Sequence, residues 1–328
     1  DVGGGIRKFV DDLAQLCVPS AINPCVGTDT IGQYLPVAVA DTSRYPGSDY
    51  YEIAVVQYRE KMHSDLPATL LRGYVQLETT ANLANSQHFP LTNANLDVTT
   101  TPVLLNGQQV YGVTAPHYLG PTITATKDKP VRILFRNLLP TGIAGDLFIP
   151  VDVTVMGAGM GPDLYGTPEM AADDPQNPMC GMAYDMTTGL RIEKDPRCYE
   201  ENRATLHLHG GISPWISDGT PHQWITPAES DATNPYPEGA SVGNVPDMAS
   251  VAAQSAGVPD CSGANDGCQT FYWTNQQSAR LMFYHDHSFG TTRLNVYLGE
   301  AAGYMITDPI EQGLITSGVL PTEQIPLI

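Results

Sequence analysis

Two stretches constrain this chain more than any other feature: Ala204-Thr205-Leu206-His207-Leu208-His209-Gly210 and Leu281-Met282-Phe283-Tyr284-His285-Asp286-His287. Each ends an apolar, strand-like run in His-x-His, and because successive residues of a strand point to opposite faces, both imidazoles of a pair project to one side. A lone His-x-His in a β protein is commonly ordinary surface. Two of them at strand ends form two pincers of nitrogen donors, and imidazole is a common ligand for copper, zinc, iron and nickel. His207, His209, His285 and His287 are therefore the candidate metal ligands, and a fold that carries them must be built from strands.

The rest of the sequence agrees with a strand-rich chain. Pro (27) and Gly (31) are abundant in 328 residues while helix-period patterns are scarce, which suits short strands joined by long turns. A net charge of -19, with only 16 Lys and Arg and no basic cluster, argues against nucleic acid and anionic membrane surfaces as partners. No stretch approaches the length of a membrane span. The six cysteines fall into three close couples, Cys17 with Cys25, Cys180 with Cys198 and Cys261 with Cys268, each bracketing a loop-like segment. Local disulfides are the natural inference, although six cysteines formally allow about fifteen pairings. They point to an oxidising, extracytoplasmic or secreted location, and a mature, already processed start at Asp1 is the expectation. No couple has the spacing of a zinc ribbon.

In chain order, Ile6, Phe9, Val10, Leu13 and Leu16 recur at helical spacing, so residues 6–16 are expected to form a short amphipathic helix. Tyr50 to Arg59, Arg72 to Glu78, and the pair Pro121 to Thr126 and Val131 to Asn137 around a Lys-Asp-Lys-Pro turn read as strands. So do Arg203 to His209, Phe271 to Trp273, Ala279 to His287 and Ala301 to Thr307, whereas Thr291 to Leu298 reads as a short helix or tight turn. Two long insertions, about 141–202 and 227–269, interrupt the pattern, and each holds a cysteine couple. Met156, Met160, Met170, Met179, Met182 and Met186 cluster in the first; thioethers suit Cu(I), but gap-filling packing is their commoner use. His63, His88, His117 and His222 are isolated and read as framework or surface residues, with His222 nearest the first pincer.

With both pincers in hand, the sequence resembles the multicopper oxidases, most of all the bacterial spore-coat laccase and bilirubin-oxidase branch. The stretches that carry the resemblance are HLHGGISPWISDGTPHQW from His207, NQQSARLMFYHDHSFGTTRLNVYLGEAAGYMITDP from Asn275, and the weaker HSDLPATLLRGY from His63 and GPTITATKDKPVRILFRNLLP from Gly120. The resemblance implies an all-β fold, a cupredoxin-like Greek-key β-barrel with disulfide-pinned loop insertions, spanning residues 1–310. Residues 311–328 are then a linker and the first strand of a second such domain. It implies copper as cofactor: His207 matches a type 2 ligand, His209 and His285 ligands of one type 3 copper, and His287 a ligand of the other. Asp218 matches an acidic residue that assists proton delivery; its alternative is an Asx-turn before Gly219. Asp286, between two histidines of one face, is expected to point the other way and to be structural.

No cysteine here is flanked by histidines, so the type 1 copper of the family, held by a later His-Cys-His, is expected outside this chain. The chain is accordingly read as the N-terminal portion of an oxidase that is inactive until the remaining domains, or a second chain carrying His-Cys-His, complete it. The implied reaction is oxidation of a phenolic or similar small donor with reduction of O2 to water. Two alternatives stand beside it: oxidation of Mn(II), Fe(II) or Cu(I) as metal-ion donors, and a non-catalytic copper-binding cupredoxin module. A copper nitrite reductase is disfavoured, because its first domain carries a His/Cys/Met site that is missing here.

Overall fold

The computed structural model describes residues 5–20, 25, 30–162, 180–181, 185, 187–188, 191–228, 234–248, 261, 266–323 and 325–327. Eight strands build two four-stranded sheets. They are β1 (Asp49–Glu60), β2 (Thr69–Gln76), β3 (Leu119–Thr126), β4 (Val131–Asn137), β5 (His207–His209), β6 (Cys268–Trp273), β7 (Arg280–His285) and β8 (Ala301–Thr307). One sheet runs β6-β4-β1-β2 and the other β3-β8-β7-β5. The β4–β1 and β3–β8 pairs are parallel and the others antiparallel. Mixed sheets of this kind require connections that cross from sheet to sheet, as in a Greek key. The fold is all-β and cupredoxin-like.

The core lies between the sheets. Tyr51, Ile53 and Val55 of β1, Ile133 and Phe135 of β4, Phe271 and Trp273 of β6, Tyr284 of β7 and Tyr304 of β8 pack there. The alternate residues Ala54, Val56 and Tyr58 of β1 enter a second cluster with Leu71, Val75 and Leu91. Burial on both faces explains why β1 reads as one apolar run instead of an alternating pattern. The β3–β4 connection turns at Asp128, whose φ is 62°, within the Lys-Asp-Lys-Pro segment. The Thr291 to Leu298 stretch is a helix, α1 (Thr292–Leu298), closed by Gly299 at φ 116°.

All three cysteine couples are disulfides, with Cα separations of 5.9, 5.5 and 5.7 Å along the chain. Apart from a 3-10 turn at Gly142–Gly145 and the first two residues of β6, the described parts of both insertions are irregular. Met160 is buried against the Cys180–Cys198 disulfide and Met156 is exposed, while Met170, Met179, Met182 and Met186 lie outside the described residues.

One expectation fails. Residues 6–16 form no helix: they run as an irregular strap ending in a two-residue strand, Leu16–Cys17, that pairs in parallel with Leu35–Pro36. Side chains tie this strap to distant residues, Arg7 to Asp65 and Asp11 to Ser64 and Thr30, and Phe9 sits at φ 59°, so long-range pairing replaces local turns. Ile6, Phe9 and Leu13, which would have made the apolar stripe, are exposed. At the other end, residues 311–316 belong to a helix, α2 (Pro309–Thr316), because Asp308 accepts from the Glu311 amide at 2.8 Å and Pro309 fits the first turn. Residues 325–327 pair with no strand among the described residues.

Candidate metal centre

Strand register brings the two pincers together. β5 and β7 are antiparallel neighbours, with His207 opposite His285, Leu208 opposite Tyr284 and His209 opposite Phe283. Leu208 and Tyr284 belong to the core. The alternation of a strand therefore sends His207, His209, Phe283 and His285 to the outer face of that sheet. His287 lies two residues past the end of β7. Ring centroids are 5.8 Å apart for His207–His209, 5.5 Å for His207–His285, 4.8 Å for His207–His287, 5.3 Å for His209–His285 and 5.7 Å for His285–His287. Ligand atoms of His207, His209 and His285 all lie within 4.8 Å of one another. Phe283 stacks on His209 at 4.8 Å with an interplanar angle of 11°, fixing that ring's plane.

Second nitrogens decide which atoms face a metal. The Nδ1–H of His207 donates to the Asp218 carbonyl at 2.6 Å, and that of His285 to the Asp286 carbonyl at 2.6 Å, which leaves Nε2 as the atom of each ring that can face a metal. His285 Nε2 lies 3.1 Å from His209 Nδ1. His287 Nδ1 is buried with no hydrogen-bond partner among the described residues. Burial, with the neighbouring rings, pushes the pKa of His285 down to about 4 and lowers that of His287. Neutral imidazole is the form that binds a metal. Four converging rings with an orphaned buried nitrogen fit a nitrogen-ligated ion such as copper.

Asp218 supplies the His207 clamp through its backbone. Its carboxylate lies 3.9 Å from His207 Nδ1 and is partly exposed, and no hydrogen bond to it is seen among the described residues, so the Asx-turn alternative lacks its bond. The close approach depends on Gly219, at φ 66°, where a Cβ would fall 1.9 Å from the Leu206 carbonyl oxygen.

Asp286 points away from the rings and is fully buried. It accepts from Thr205 N at 2.9 Å, Ser288 Oγ at 2.7 Å, Ser288 N at 3.0 Å and Asn295 Nδ2 at 3.0 Å. One carboxylate thus ties the approach to β5 to the turn after β7 and to α1. Sequence spacing showed that it faces away but not this tie; the short polar run Asp286-His287-Ser288 was the available signal. Arg203 fixes the first insertion to the same turn: it donates to the carbonyls of Glu200, Gly157 and Phe289 at 2.7, 2.7 and 3.0 Å. Its guanidinium lies between Tyr199 and Trp224, 4.6 and 4.9 Å from their rings.

The other histidines stay apart from the quartet. His63 bonds the Arg7 carbonyl, His88 pairs with Glu78 and stacks on Tyr111, His117 pairs with Glu60, and His222 packs on Phe289.

No family model matches the chain. It is 25% identical over 309 residues to a laccase of Bacillus stratosphericus, covering 94% of this chain and 35% of that protein. It is 24% identical over 281 residues to a laccase of Bacillus subtilis, covering 85% of this chain and 33% of that protein. It is also 43% identical over 58 residues to a bilirubin oxidase of Albifimbria verrucaria, covering 18% of this chain and 10% of that protein. Among solved structures, a multicopper oxidase of Pediococcus acidilactici aligns with a TM-score of 0.39 at 14% identity, covering 95% of this chain and 34% of that one. The chain spans about a third of the length of the curated laccases it matches. Along most of its length the chain is thus similar to laccases, over a stretch that includes both His-x-His pincers set side by side in one sheet.

Proposed function

We propose that the chain belongs to a copper-dependent, laccase-like oxidase that removes electrons from phenolic or similar small donors and reduces O2 to water. Convergence of His207, His209, His285 and His287 on the outer face of β5 and β7 carries the proposal. These rings are ligands for half of a trinuclear cluster, His207 on the type 2 position, His209 and His285 on one type 3 copper and His287 on the other. The type 1 copper lies outside this chain, since all six of its cysteines are locked in disulfides. When bound, copper supplies one-electron steps, and several together can carry the four electrons that O2 takes up. The chain's own residues do the rest. The carbonyls of Asp218 and Asp286 hold two rings in one tautomer, Phe283 holds a third in plane, and Asp218 presents a carboxylate at the rim, able to pass a proton inward. The three disulfides support an extracytoplasmic location.

Copper titration of the chain tests the ligand assignment. Cu(II) binding should be saturable and lost in a His207→Ala/His285→Ala double variant; equal binding by the folded double variant would overturn it. Joined to the rest of its enzyme, the chain should consume O2 with a phenol, and turnover of Mn(II), Fe(II) or Cu(I) alone would shift the assignment to a metal oxidase.

A further inference from the structure

His287 is the one ring of the quartet that no strand carries, and its Nδ1 is buried with no hydrogen-bond partner among the described residues. Its place is therefore set by the backbone of the turn that follows it, residues 288–291. That turn leans on the first insertion. Gly157, at φ 83°, lies so close against the Phe289 ring that a Cβ there would fall 2.3 Å from Phe289 Cδ1. Gly290, at φ 80°, meets the same loop: a Cβ on it would lie 2.3 Å from the Gly157 carbonyl carbon. The buried Arg203 joins the two segments by donating to the carbonyls of Gly157 and Phe289 at 2.7 and 3.0 Å. The Phe289 ring also packs on His222, with centroids 4.8 Å apart, and its amide donates to the Pro221 carbonyl at 3.0 Å. The loop is itself anchored, since Tyr199 N donates to the Gly159 carbonyl at 2.9 Å and Met160 is buried against the Cys180–Cys198 disulfide.

We propose that the loop around Gly157 positions His287: by backing Phe289 it holds the ring two residues earlier beside His207, where the two centroids are 4.8 Å apart. The proposal rests on the ligand role given to His287 above. The other three rings have restraints of their own, the carbonyls of Asp218 and Asp286 for His207 and His285 and the stacked Phe283 for His209. His287 takes its position from the turn, one side of which is tied by Ser288 to Asp286 and the other by Phe289 and Gly290 to the Gly157 loop. A methyl at residue 157 would need the Phe289 ring to retreat by about 1 Å to reach ordinary carbon–carbon contact. Metal–ligand distances hold within about 0.2 Å, so a shift of that size passed along two residues takes His287 out of the ligand set.

NMR of the metal-free chain with isotope-labelled histidines tests the placement. NOEs between the His287 and His207 rings should be present in the wild type and lost in Gly157→Ala, while those between His209 and His285, whose centroids are 5.3 Å apart, persist. Phe289→Leu removes the flat ring without adding a methyl at residue 157, and should give the same pattern where Gly157→Ala fails to fold. Cu(II) titration supplies a second readout. Gly157→Ala should weaken Cu(II) binding about 10- to 100-fold, as loss of a metal ligand's outer support does. In a His287→Ala background the same change should alter affinity less than about twofold, whereas a merely structural contact would weaken both backgrounds alike. The proposal is overturned if the His287–His207 NOEs are missing in the wild type, if they persist in folded Gly157→Ala and Phe289→Leu chains, or if Gly157→Ala costs as much Cu(II) affinity without His287 as with it. A wild-type chain that binds no Cu(II) overturns the ligand reading instead, and the NOEs of the metal-free chain still decide what holds His287.

Discussion

Replacing Asp286 by Asn should unfasten the two pincers from each other. Four donors converge on the Asp286 carboxylate: Thr205 N, Ser288 N, Ser288 Oγ and Asn295 Nδ2. Burial raises the pKa of this carboxyl while those donors oppose the rise, and only the ionised form accepts from all of them. An amide has one oxygen, so two donors keep an acceptor and two are turned against an NH2 group. Hydrogen bonds to a charged group contribute about 1.5–3 kcal/mol each, and a buried donor left unpaired adds its desolvation, offset in part by removal of a buried charge. A net loss of about 3–5 kcal/mol is expected, a large share of the roughly 5–15 kcal/mol that holds a domain folded. Urea unfolding of the metal-free chain, followed by tryptophan fluorescence, reads this loss directly. Ser288→Ala, which removes one donor together with its own need for an acceptor, should cost only about 1 kcal/mol. Copper stoichiometry at a urea-free, folded temperature should fall in Asp286→Asn and hold in Ser288→Ala. An Asp286→Asn chain within about 1 kcal/mol of wild type, with copper binding intact, would refute the idea that this carboxylate sets the distance between the His-x-His strands.

Three further outcomes follow from the same geometry. Asp218→Asn in the complete enzyme should leave copper content nearly unchanged, because the backbone carbonyl still clamps His207, while slowing O2 reduction measured across pH; unchanged turnover would leave Asp218 with its backbone clamp alone. Gly219→Ala should destabilise the chain by about 2 kcal/mol or more in the same urea assay, since φ is 66° and the new methyl meets the Leu206 carbonyl, and a neutral result would mean that the turn shifts freely. The metal-free chain should lose stability on acidification: the folded-state pKa of His285 is depressed to about 4 from the ordinary 6.5, so its contribution is complete above pH 6.5 and is lost as pH falls through that window. The loss from this ring is at most about 3 kcal/mol, and direct NMR titration of His285 near its ordinary value would contradict it.

What the sequence determined by itself was local: strand alternation puts His207 with His209 on one face, cysteine proximity marks three loops, and the β-rich run from Tyr50 to Arg59 marks β1 as a strand. These follow from fixed side-chain periods and short chain distances, which hold whatever the rest of the chain does. The same local logic misled at residues 6–16, where helical spacing was outweighed by the pairing of Arg7 and Asp11 with partners more than fifty residues away. Only the tertiary structure set His207 opposite His285, because strand register is chosen by packing of Leu208 and Tyr284 into a shared core. Folding also placed His287, which no strand carries, beside His207, and gathered four donors from three segments around Asp286.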